Sequence, residues 1–296
     1  MKVLLLFNPY AGHGHAGKIL SQVERAFKDH DIEFDLKLTN YPGHGIEIVR
    51  NADLSSYDGL IAAGGDGTLF EVINGYFQNP AEKKVPIGIL PIGTGNAFAR
   101  DLKLDNTTWL EAVKIIATGK TRKLDVGKFH SNGQDSYFLN ILGLGFVADV
   151  TGIAHKLKIF GNFSYTLGVL IRTIFLSADK LSIEIDGQNL ELECTFVEIS
   201  NTRYTANFLM APKAVIDDGL LDVTIARKLT RIRLLKCFPK IFTGEHVLLP
   251  EIDSYQAKNI KIVSKKPKVL SPDGELIGTT PVEIECLKQK IEVYWK

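Results

Sequence analysis

The sequence predicts a doubly wound α/β domain over residues 1–124, followed by a mainly antiparallel β domain over residues 125–296. Three observations predict it. Short apolar runs alternate with helical patterns in the first part of the chain, which implies βα units on a parallel sheet. Near Lys123 the pattern changes to an apolar residue at every second position. A length of 296 residues suits two domains, each able to bury its own core.

Residues 3–7 form a continuous apolar run, as a strand buried on both faces requires. Ile19, Leu20, Val23, Ala26 and Phe27 then recur at helical spacing. Residues 34–38 alternate like a strand, and residues 46–50 suit a short helix. A second buried strand is expected at 60–63 and a helix at 68–77. Residues 87–90 make another strand, which Pro91 ends. Trp109, Leu110, Val113, Ile116 and Ala117 mark a helix closed near Gly119. In the second domain, Asp186-Gly187 between two alternating runs signals a hairpin. Further strands are expected at 220–226, 259–263, 282–287 and 290–295, with helical insertions at about 153–177 and 230–242. The C-terminal tail is expected either to complete this domain or to pack back on the first.

Composition excludes several classes. Lys and Arg total 35 against 34 Asp and Glu, so nucleic-acid binding through bulk charge is not expected. Cys194, Cys237 and Cys286 are odd in number and far apart, which argues against a disulfide framework or a zinc knuckle and fits a reducing, cytoplasmic compartment. The apolar run at the start is too short for a secretory signal, and no stretch reaches the length of a membrane span.

Three glycine-rich turns each follow a buried strand: Asn8-Pro9-Tyr10-Ala11-Gly12-His13-Gly14, Gly64-Gly65-Asp66-Gly67-Thr68, and Pro91-Ile92-Gly93-Thr94-Gly95-Asn96. In a doubly wound sheet such turns lie at the carboxyl ends of strands, where ligands bind. Glycine lets backbone N–H groups converge on an anion, and helix N-termini expected after Thr68 and Asn96 add a favourable dipole. Asp66 would repel a phosphate unless a cation lies between them, so Mg²⁺ is expected, with helix capping by Asp66 as the plainer alternative. Neither a P-loop nor a complete dinucleotide fingerprint fits these turns. Ser271-Pro272-Asp273-Gly274-Glu275 carries carboxylates that could face the cradle across an interdomain cleft, although this is also a common turn sequence.

Residues 64–75 (GGDGTLFEVING) and 91–100 (PIGTGNAFAR) resemble the diacylglycerol kinase catalytic family, which includes sphingosine and ceramide kinases and bacterial lipid kinases. Asn8-Pro9 with Gly12, the stretch Asp217-Asp218-Gly219-Leu220-Leu221-Asp222, and Asp273-Gly274-Glu275 match as well, in the family's order. The resemblance implies a phosphofructokinase- and NAD-kinase-like Rossmann domain followed by a β-sandwich. It implies ATP and Mg²⁺ as cofactors and a hydroxyl of diacylglycerol or a related lipid (a sphingoid base, ceramide or phosphatidylglycerol) as acceptor. ATP would be lined by Asn8, Tyr10, Ala11, Gly12, His13, Gly14, Thr39, Gly64, Gly65, Asp66, Gly67, Thr68, Leu69, Phe70 and Thr94. Asp273 would be the general base with Glu275 beside it. Metal would be held by Asp66 and, at a separate site, by Asp218 with main-chain oxygens of Val215 and Leu220. Phe70 and Ala97 depart from the polar residues frequent in the family. The competing readings are a NAD kinase, which lacks its Asn-Glu pair here, and a nucleotide-binding regulator without turnover.

A lipid kinase without a membrane span needs transient contact with the inner face of a membrane. Arg227, Lys228, Arg231, Arg233, Lys236 and Lys240 fall in one stretch without an acid, while Leu234, Phe238, Ile241 and Phe242 form a stripe. That pattern suits either a helix on anionic headgroups or one packed on the β domain. Residues 157–177 are more apolar and read as a core helix, an acyl-chain contact or a homodimer contact.

Overall fold

The computed structural model describes residues 1–156, 164–205 and 208–296. The chain divides into two compact units, one of Met1–Leu124 with Gln289–Lys296 and one of Asp125–Lys288.

The first unit opens β1 (Lys2–Phe7), α1 (His15–Asp29), β2 (Glu33–Leu38), α2 (His44–Asn51), β3 (Gly59–Gly64), α3 (Asp66–Gln78), β4 (Ile87–Pro91) and α4 (Trp109–Ala117). The strands are parallel in the order β4-β3-β1-β2. From Val3 to Phe7 and throughout β3 every residue is buried, because helices cover both faces of this sheet. On α1, Ala16, Ile19, Val23, Ala26 and Phe27 form the buried stripe that the spacing predicts. The chain runs from β1 to β2 on one side and returns to β3 on the other, so a topological switch lies at the carboxyl ends of β1 and β3.

The second unit is an antiparallel β-sandwich with helical cover. The elements are β5 (Thr121–Ser131, entering from the first unit), β6 (Gln134–Phe138), β7 (Ile141–Gly145), α5 (Phe146–Lys156), α6 (Ser164–Ile174), β8 (Asp179–Ile185), β9 (Gln188–Ser200), β10 (Tyr204–Thr205), β11 (Phe208–Leu209), β12 (Leu221–Arg227), α7 (Arg231–Cys237), β13 (Ile252–Ala257), β14 (Asn259–Ser264), β15 (Leu270–Pro272) and β16 (Val282–Tyr294, which belongs to the first unit from Gln289 on). The long strand β9 pairs with β8, β12 and β7, and β7 pairs in turn with β15. Phe129, Phe138, Leu142, Val197, Ile199 and Ile262 belong to the main core. Phe146, Val150, Val169, Phe196, Phe208 and Leu234 form a second cluster that joins the helices to the rest of the unit.

Several expectations change. The strands expected at 282–287 and 290–295 are one strand, β16, in which Gln289 takes a positive φ of 49°. The polar run Lys288-Gln289-Lys290 hides this continuity by interrupting the alternation. The expected insertion at 153–177 is two helices, α5 starting earlier at Phe146 and α6 ending at Ile174, and residues 157–163 lie outside the described residues. The 230–242 insertion is α7 continued by a 3₁₀ turn, Phe238–Ile241, where Pro239 cannot donate to an α-helical ladder. After Asn96 there is only one 3₁₀ turn, Phe98–Arg100, so the helix expected there does not form. No described helix is long and apolar enough to cross a membrane.

Candidate active site

The three glycine turns converge at the carboxyl ends of the parallel strands. Asn8 follows β1, where its N–H donates to Ala63 O at 2.9 Å and its side-chain amide donates to Thr68 Oγ1 at 3.1 Å. Its Oδ1 accepts the N–H of Tyr10 at 3.0 Å, which starts the first turn. Gly64 O accepts the N–H groups of Ile92 and Gly93, both at 3.0 Å, and so ties the second turn to the third. Close approach explains the glycines. A Cβ on Gly12 would lie 2.9 Å from Ile92 O, and one on Gly64 would overlap the Thr68 side chain. Thr39 is buried just after β2, with its N–H on Phe7 O at 2.9 Å. Tyr10 and Thr94 are exposed on the outer side of their turns. Leu69 and Phe70 are buried in the core of the unit, so they adjoin the turns through the backbone of α3 and not through exposed side chains.

α3 begins at Asp66, with Gly65 as its N-cap. N–H groups in the first turn of a helix lack intrahelical partners and attract anions. Asp66 does not cap its own helix. Its Oδ1 accepts the N–H of Ala97 at 2.7 Å, which holds the third turn against the second. Burial raises the Asp66 carboxyl to about 6, against the lowering effect of the Ala97 and Phe98 N–H groups and the Arg100 charge. The residue as a whole keeps part of its surface open, so it is the carboxyl end that is enclosed. A Cβ on Gly95 would stand 2.6 Å from Asp66 Oδ2, so the glycine leaves that oxygen room. One carboxylate on a turn rich in N–H donors fits a Mg²⁺ shared with phosphate oxygens. Among the described residues no three His, Cys, Asp or Glu side chains gather into a metal cluster.

In the second unit, the 217–219 turn is braced from β5. Asp125 is fully buried and its Oδ2 accepts the N–H of Gly219 at 2.6 Å. Asp218 Oδ1 accepts the N–H of Leu220 at 2.9 Å, while Val215 is exposed beside the turn. Burial pushes Asp222 up to about 6, with the charge of Asp218 raising it further. Carboxylates that burden one another in this way suit a cation completed by main-chain oxygens and water.

Asp273 is not the solvated residue of an ordinary turn. Only 7% of its surface is exposed, and its φ is 47°. The carboxylate accepts three backbone N–H groups, from Leu139 to Oδ2 at 2.9 Å and from Asn140 and Ile141 to Oδ1 at 2.8 and 2.9 Å. Glu275 is half-buried, with its N–H on Pro272 O at 2.8 Å closing the turn. Asn201, fully buried, donates to Asp125 O at 3.0 Å and to Leu139 O at 2.9 Å, so one amide links the strand bracing the 217–219 turn to the segment holding Asp273.

Sequence reasoning missed Asp125, Asn201 and Glu198. Glu198 is 1% exposed and points from β9 on the face that Phe196 shares. Its Oε1 accepts the hydroxyl of Thr205 at 2.7 Å and lies 3.4 Å from Ser200 Oγ. Burial pushes its carboxyl up to about 7, against those hydroxyls. The available signal was a charged residue inside the apolar run Phe196-Val197-Glu198-Ile199.

Both units resemble known proteins. Residues 2–129 match the family described as diacylglycerol kinase catalytic domain, and residues 140–295 match the YegS C-terminal NAD kinase beta sandwich-like domain. The chain is 33% identical to a diacylglycerol kinase of Staphylococcus carnosus over 293 residues, covering 98% of the chain and 94% of that protein. It is 30% identical to a diacylglycerol kinase of Bacillus subtilis over 292 residues, with the same coverage. A crystal structure of a diacylglycerol kinase from Bacillus anthracis superposes with a TM-score of 0.73 at 25% identity, covering 100% of this chain and 97% of that one.

Proposed function

We propose that this chain, which belongs to the diacylglycerol kinase catalytic family, uses ATP and Mg²⁺ to phosphorylate a hydroxyl of diacylglycerol or of a related membrane lipid. It is a kinase, transferring phosphate to an alcohol. The observation that carries the finer reading is the convergence of three glycine turns and the N-terminus of α3 at one end of a parallel sheet.

Phosphoryl transfer asks the protein for placement, charge stabilisation and a proton acceptor. The 10–14 and 64–70 segments line the nucleotide, with backbone N–H groups of Gly12, Gly67 and Thr68 receiving the phosphates and Asn8, Thr39 and Thr94 at the margins. Mg²⁺ bound near Asp66 would neutralise phosphate charge and lift the repulsion between that carboxylate and the nucleotide. Asp218, with the main-chain oxygens of Val215 and Leu220, would hold a second ion. Asp273 takes the proton of the acceptor hydroxyl, and Glu275 orients that hydroxyl beside it. The three N–H bonds on Asp273 support this role because they remove its rotational freedom.

The test is to incubate the protein with labelled ATP, Mg²⁺ and a panel of hydroxyl lipids in mixed micelles. Labelled lipid is expected from at least one glycerolipid. Equal background from the wild type and Asp273→Asn on every lipid would sink the reading.

A further inference from the structure

α7 was expected to offer Leu234, Phe238, Ile241 and Phe242 to a membrane or to the core. The structure decides for the core with most of that stripe. Leu234 is buried in the second cluster, and Phe238 packs edge-on against Phe208 and Phe242. Yet another face of the same helix is apolar and bare. Ile232 is 70% exposed and Leu235 is 44% exposed.

At about 100° per residue, Arg231, Leu235, Ile232 and Lys236 fall in that angular order within an arc of about 140°. All four are exposed, while Leu234 and Cys237 face the opposite way and are buried. The charges sort in the same manner. Arg227 pairs with Asp253, Lys228 with Glu193, Arg233 with Glu251 and Lys240 with Glu245. Among the described residues, Arg231 and Lys236 have no carboxylate partner, and they are the two cations that flank the bare apolar pair. α6 packs against α7 and ends at exposed Ile174, with exposed Phe175 next in the chain and Leu170 one turn earlier. Beyond the 3₁₀ turn, Leu248 is 80% exposed.

A water-facing helix has no use for bare isoleucine and leucine between unpaired cations. Apolar side chains that enter the acyl boundary while cations meet lipid phosphates use both features at once. We infer that the outer face of α7 is a docking surface for an anionic phospholipid bilayer. The inference rests on the lipid-kinase reading for its purpose, since the acceptor then lies in that bilayer, but its geometry is independent of any catalytic residue.

The experiment uses the full chain with vesicles of phosphatidylcholine, alone or mixed with phosphatidylglycerol. Co-sedimentation is expected with the mixed vesicles only. The double variant Ile232→Ser/Leu235→Ser should lose it at least tenfold, and Arg231→Gln and Lys236→Gln about fivefold each. Leu248→Ser alone guards against a folding defect in the helix variant. Unchanged binding by all variants, binding indifferent to phosphatidylglycerol, or a wild-type dimer that the double variant converts to monomer would overturn the inference. The same variants should keep wild-type rates on water-dispersed short-chain diacylglycerol and lose them on vesicles. A wild type that binds mixed vesicles but phosphorylates neither acceptor would sink the kinase reading and support the surface.

Discussion

Asp66 and Asp273 sit in similar strings, Gly-Gly-Asp-Gly and Pro-Asp-Gly-Glu, and the fold treats them in opposite ways. Asp66 lies at the start of a helix, accepts the Ala97 N–H at 2.7 Å, and is pushed up to about 6 by burial. Its charge is poorly supported until a cation arrives. Asp273 accepts N–H groups from three consecutive residues at 2.8–2.9 Å, so its charge is met by fixed dipoles of the protein itself. Glu198 makes a third case: more deeply buried than either, it has only two hydroxyls for company and is pushed up to about 7. The comparison teaches that the number and kind of donors around a carboxylate, and not its motif, set how well the fold supports its charge.

The largest expected effect comes from breaking the Asp273 side of this contrast. Asp273→Asn should lower kcat about 10²- to 10⁴-fold with little change in KM for ATP, measured as initial rates on micellar lipid. A large rise in KM for ATP with kcat intact would assign Asp273 to nucleotide binding.

Glu198→Gln sharpens the comparison through pH. The folded protein holds a proton on Glu198 up to about 7, whereas the unfolded chain releases it near 4.5. The folded state therefore binds more protons in that window, and stability falls as pH rises through it. The contribution is about 3 kcal/mol between pH 4.5 and 8. Denaturant melts of Glu198→Gln across that range should show a correspondingly flatter curve. An unchanged slope would mean that the carboxyl is ionised in the fold.

Asp66→Asn tests the other side. The amide oxygen can still accept from Ala97, so the turn should keep its shape. Affinity for ATP should fall about tenfold in the presence of Mg²⁺ and rise in its absence, where the variant no longer repels the phosphates, by calorimetry. A similar loss in both conditions would remove the metal from the argument.

The smallest effect concerns the turn that carries Asp273. Gly274 has a φ of 84°, so Gly274→Ala should cost about 1 kcal/mol by thermal melting while Asp273 keeps its three N–H partners. A loss of activity as large as that of Asp273→Asn would show that turn geometry, and not the carboxylate alone, controls the site.

Much of the first unit was legible because each of its signals is local. A buried parallel strand reads as an unbroken apolar run, and a glycine turn after it reads as a site whatever the rest of the chain does. The stretch 121–145 escaped, since Lys128 and Asp135 face outward in β5 and β6 and pair with each other, so the alternation there is mixed with charge. The apolar stripe of α7 was visible, but which side of the helix met the core depended on Phe208, thirty residues away.

By itself the sequence determined the two fold types, the order of the motifs and the residue types available for phosphate, metal and proton transfer, because periodicity, turn chemistry and side-chain chemistry are properties of short segments. The tertiary structure alone decided that Asp66 braces a neighbouring turn, that Leu139, Asn140 and Ile141 surround Asp273, that Glu198 is buried beside two hydroxyls, and that α7 keeps a bare face. The physical reason is that burial and hydrogen-bond partners come from segments distant in sequence, and those partners set the energy of a charge.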